Sequence, residues 1–63
     1  MSPYILIDKE LEAFADPATP FGFAGLLQRQ LITMMTDDLI TTPEFTHYCE
    51  RLNKIIDRRM EAS

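Results

Sequence analysis

The sequence predicts a mainly α-helical fold: an antiparallel helical hairpin preceded by a short N-terminal arm, assembled as a homodimeric helical bundle. Three observations carry this expectation. Apolar residues recur at three- and four-residue steps through two long segments, which is the spacing of one helical face. Proline and glycine punctuate the chain outside those segments. The 63 residues include one cysteine and one histidine, so neither an internal disulfide nor a ready zinc site is on offer, and a second subunit is the remaining way to enlarge a small core.

Residues 1–16 form the arm. Tyr4-Ile5-Leu6-Ile7 is rich in strand-favouring side chains, and Asp8, Glu10 and Glu12 behind it look like a helix start. The preferred reading is an extended stretch over 4–7 and a short helix from Asp8 to Ala15, with the twin arm of a dimer completing a two-stranded ribbon. The competing reading starts a helix at Ser2-Pro3, which would line up Tyr4, Ile7, Leu11 and Phe14 as one stripe.

Asp16-Pro17-Ala18-Thr19-Pro20 breaks the chain, because each proline disfavours helix at the residue before it. Thr19-Pro20 then starts a central helix over 20–39. Gly22 and Gly25 fall in its first turns, where each costs about 1 kcal/mol relative to alanine. Either the helix begins later, near Gly25, or the glycines admit close backbone contact. Leu27, Leu31, Met34 and Met35 mark its face, and Phe23, Leu26, Ile32 and Leu39 widen it beyond what one neighbouring helix covers. Asp37 and Asp38 oppose the negative end of the helix dipole and signal its end, leaving Leu39-Ile40-Thr41 as the connection.

The last helix, over 42–61, has the clearest start. Thr42 caps it, Pro43 sits where a missing N–H does no harm, and Glu44 faces the positive helix end. Phe45, Cys49, Leu52, Ile56 and Met60 form its stripe, with Tyr48, Ile55 and Arg59 beside them. The residues expected in the core or a dimer interface are Leu27, Leu31, Met34, Met35, Phe45, Cys49, Leu52 and Ile56.

Little in the chain supports catalysis. His47 and Cys49 are two residues apart on a helix, so they point about 200° from each other and cannot share a site within one chain. Glu10/Glu12 and Asp37/Asp38 are read as solvated surface charge. Gly22-Phe23-Ala24-Gly25 lacks the lysine and hydroxyl residue of a phosphate loop. No enzyme activity, metal, cofactor or small-molecule substrate is expected. No apolar run approaches the ~18 residues of a membrane span, and no secretory signal is visible, so the expected location is cytoplasmic.

The net charge is −4, with the excess acid lying before the last helix. This balance favours another protein as partner over nucleic acid. The sequence is therefore read as a small acidic interaction module, a regulator or inhibitor that blocks a larger, basic-surfaced protein such as a transcription factor or enzyme, including regulators carried by phages or plasmids. Asp8, Glu10 and Glu12 would dock electrostatically while Tyr4, Phe21 and Phe23 supply buried area. Two alternatives stand. Arg51, Lys54 and Arg58 share a helical face that could bind nucleic acid, although Glu50, Asp57 and Glu61 interleave with them. Residues 4–7 offer almost nothing polar for a DNA groove. The other alternative is an antitoxin-like or structural subunit of a larger assembly.

Overall fold

A computed structural model describes residues 2–62 as three α-helices, α1 (Pro3–Ala15), α2 (Phe23–Thr36) and α3 (Thr42–Ala62), each touching the other two. Met1 and Ser63, part of the expected 1–63 domain, lie outside the described residues. The fold is mainly helical, with no strand among the described residues.

The first helix corrects the expectation of an extended arm over 4–7. Ser2 takes extended backbone angles and its hydroxyl accepts from the Tyr4 amide at 3.3 Å, while Pro3 opens the first turn. Strand propensity at Tyr4-Ile5-Leu6-Ile7 loses because a solitary strand has no partner. The helix, in contrast, buries Ile7, Leu11 and Phe14 on one stripe.

The second helix begins at Phe23, later than the Thr19-Pro20 start expected for it. Residues 20–25 enter through three-residue bonds, Phe23 to Pro20, Ala24 to Phe21 and Gly25 to Gly22, at 3.0–3.2 Å. The Thr19 hydroxyl does not cap α2; it donates to the Ala13 carbonyl at 2.6 Å, closing the end of α1. Close contact at the glycines is also corrected, since a Cβ at Gly22 or Gly25 would meet nothing within 4 Å.

The end of α2 is a Schellman turn. Leu39 N–H donates to the Met34 carbonyl at 2.8 Å and Asp38 N–H to Met35 at 3.1 Å, with Asp38 at φ 60° in the left-handed position usually filled by glycine. The turn delivers Ile40 into the core at 4% exposure.

Thr41, one residue earlier than expected, caps α3. Its hydroxyl accepts from the Glu44 amide at 3.3 Å, and the Glu44 carboxylate accepts from the Thr41 amide at 2.8 Å. This reciprocal pair is a capping box, and it leaves Thr42 as the first helical residue.

Contacts set the helix directions. Tyr4 meets Glu44, Asp8 meets Arg51 and Phe14 meets Arg59, so α1 and α3 run the same way. Phe14 meets Phe23 and Glu10 meets Gln30, so α2 runs against α1. Ile7, Leu11 and Phe14 join Ala24, Leu27, Leu31, Met34, Ile40, Tyr48 and Leu52 in one cluster. Each large apolar side chain enclosed there contributes roughly 1.5–3 kcal/mol relative to exposure.

Candidate functional site

Because α1 and α3 run parallel, their side chains tie the two helices together at three levels. At the start, the Tyr4 hydroxyl donates to Glu44 Oε1 at 3.2 Å. That bond is the main reason the Tyr4 phenol is pushed above its ordinary value, and the Thr41 amide is the main reason Glu44 is held below its own. In the middle, Arg51 Nη1 meets Asp8 Oδ1 at 2.6 Å, the only ion pair among the described residues. At the far end, Arg59 Nη1 donates to the Phe14 carbonyl at 3.1 Å and Nη2 to the Thr19 carbonyl at 2.6 Å.

Between the middle and far ties the helices leave a groove. One hollow of about 250 Å³ has Leu11, Ala15 and Ile55 as its apolar floor and Glu12, Arg51, Lys54 and Arg58 on its rim. A second, of about 410 Å³, continues from the shared Ala15 and Arg58 to Pro17, Arg59 and Ala62. Lys54 and Arg58 are exposed and carry no ion pair among the described residues, although Glu50 stands one turn before Lys54.

The opposite side of the bundle is apolar. On α2, Phe23 and Gln30 face α1, so helical spacing puts Ile32 and Met35 on the other flank, beside α3. On α3, Glu44 and Arg51 face α1, and Phe45, Cys49 and Ile56 lie on the other flank. Ile32 is 52% exposed, while Met35, Phe45, Cys49 and Ile56 are partly buried against the core. Burial pushes the Cys49 thiol above its ordinary value.

The expected site residues distribute as follows. Leu27, Leu31, Met34 and Leu52 are buried in the core, and Met35, Phe45, Cys49 and Ile56 border it. The expected docking set is not one patch. Tyr4 and Phe14 stand ten residues apart, about 15 Å along α1, and Phe21 and Phe23 lie at the Phe14 end. Asp8 is paired with Arg51, and the Gln30 amide, turned with its nitrogen toward Glu10, donates to both carboxylate oxygens. Glu12 remains, on the groove rim. His47 is exposed, and no group of three or more His, Cys, Asp or Glu among the described residues could hold a metal. No helix of the described residues is long and apolar enough to cross a membrane.

Sequence reasoning places Arg59 beside the α3 stripe but misses its bonds across to α1, and it misses the groove. A cation repeating at the Leu52, Ile55, Ile56, Arg59 spacing was the available signal, since an arginine on an apolar stripe needs acceptors nearby. No family model, curated protein or solved structure matches this chain.

Proposed function

We propose that this chain is a small helical interaction module that self-associates through the α2 and α3 hairpin and acts by occupying the surface of a larger protein, as a regulator or inhibitor. The observation that carries the reading is the amount of large apolar side chain left outside the core. Ile32 is 52% exposed, and helical spacing puts partly buried Met35, Phe45, Cys49 and Ile56 on the same side of the bundle; Leu26, 61% exposed, lies about 120° round α2 from Ile32 and is not part of that face. A contiguous apolar face is unusual on a monomer and typical of an interface. Asp8 and Glu10 are engaged inside the molecule, so the reading relies on apolar contact rather than on an acidic N-terminal surface.

Sedimentation equilibrium of the full chain tests self-association. A dimer whose melting midpoint rises with concentration supports the reading; a monomer across the accessible concentration range overturns it. The nucleic-acid alternative is favoured by one observation, that Lys54 and Arg58, beside Arg51, form no ion pair among the described residues. It requires a shift of random duplex at low salt that fades steeply as salt rises.

A further inference from the structure

We infer that the groove between α1 and α3 seats an acidic amphipathic helix from a partner protein. The inference rests on the reading of the chain as an interaction module and adds the site and the chemistry of the partner.

Charge complementarity names the occupant. Four of the six basic residues of the chain, Arg51, Lys54, Arg58 and Arg59, line this one groove, in a molecule of net charge −4. Against them stand Glu12 on the rim and Asp8, which is held by Arg51. Arg59 bonds to two neutral carbonyls, so its charge is not cancelled by a carboxylate. Lys54 and Arg58, four residues apart, project from one side of α3 with no ion pair among the described residues. An anionic surface is what these groups attract, and carboxylates would meet them with little rearrangement.

Shape narrows the occupant to a helix. From Arg51 to Ala62 the groove follows α3 for about 16 Å, the length of a helix of roughly eleven residues. Its floor is apolar, and Ala15 and Ala62 are small enough for another backbone to come close. A helix laid between two parallel helices completes a four-helix arrangement and buries its apolar face on Leu11, Ala15 and Ile55, with acidic positions turned to Lys54 and Arg58.

The test uses the full chain, isotope-labelled at methyl groups, and a synthetic helical peptide with leucines at three- and four-residue steps flanked by glutamates. Saturable shifts at the Ala15, Ile55 and Ala62 methyls are expected, weakened about tenfold or more in the Lys54→Glu/Arg58→Glu double variant and by added salt. Both substituted residues are exposed, and an unchanged helical circular dichroism spectrum and melt verify that the variant folds. Three outcomes overturn the inference: no shift at the groove, equal binding of a scrambled peptide, or preferential binding of random duplex. Peptide shifts at Ile32 and Met35 alone overturn the groove but leave the interaction reading standing. Self-association, measured separately on unliganded protein, decides that reading.

Discussion

The Arg59 guanidinium lies 4.7 Å over the ring of Phe14 and also bonds to the carbonyl of that residue, so one side chain holds both the face and the backbone of the largest fully buried residue. Phe14 is fully buried, and its carbonyl belongs to the last turn of α1, where the helix dipole favours a cation. Arg59 also spans the break at 16–20 through Thr19 and lies 5.3 Å from the Phe21 ring. The far end of the bundle closes on this residue.

Arg59→Ala is therefore expected to destabilise the fold by about 2–3 kcal/mol, from the loss of charge-assisted bonds and stacking together. In a domain this small, that loss lowers the melting midpoint by on the order of 10 °C. Arg59→Lys should recover less than half, because an ammonium cannot reach two divergent carbonyls while also sitting over the Phe14 and Phe21 rings. Thermal melts of the two variants decide it; equal midpoints for lysine and arginine would remove the planar-fork explanation.

Asp38→Gly is expected to stabilise the protein. Asp38 holds a left-handed backbone at φ 60°, and its carboxylate sits beside Asp37 at the negative end of α2. Glycine relieves the backbone strain and removes a charge from an unfavourable position, for a gain of roughly 0.5–1 kcal/mol. Chemical denaturation reads the gain directly, and a loss of stability would show that the Asp38 side chain makes a contact stronger than the strain.

These two sites mark where sequence reasoning succeeds and where it stops. The stripes on α2 and α3 were legible, because Leu27, Leu31 and Leu52 recur at helical spacing and end in the core. The strand-like run at 4–7 misleads, because propensity alone does not say whether a partner strand exists. Thr41 and Thr42 both precede a helical pattern, and only the three-residue step from Thr41 to Glu44 separates the cap from its neighbour. The groove was not legible. Residues 8 and 51, or 14 and 59, meet only once three helices have chosen their directions.

The capping box should leave a signature in acid. Glu44 is held below its ordinary value of 4.5, first by the Thr41 amide. A depressed carboxyl contributes stability that is present above the ordinary value and is lost as pH falls through the lowered one. Tyr4 is the converse: raised above 10.0 by its bond to Glu44, it contributes below that value and loses its contribution as pH rises through the raised one. Glu44→Gln should thus melt lower than the parent at neutral pH, and the difference should shrink once pH drops below 4.5. A gap independent of pH would show that the carboxylate charge is not what the cap uses.

Cys49 provides a chemical probe of the apolar face. Its thiol is pushed above the ordinary value of 9.0 by burial alone, so the reactive thiolate is scarce at neutral pH. Alkylation by a small neutral reagent at pH 8 should run several-fold slower than for a free thiol. If copies meet across α2 and α3, the rate should fall further as protein concentration rises, since Cys49 lies on the side shared with Ile32 and Met35. Ile32→Glu, at a position 52% exposed, should abolish that concentration dependence while leaving the helical content unchanged. A rate that is the same in dilute and concentrated solution would place Cys49 outside any contact between copies, and self-association, if present, would have to use a different surface.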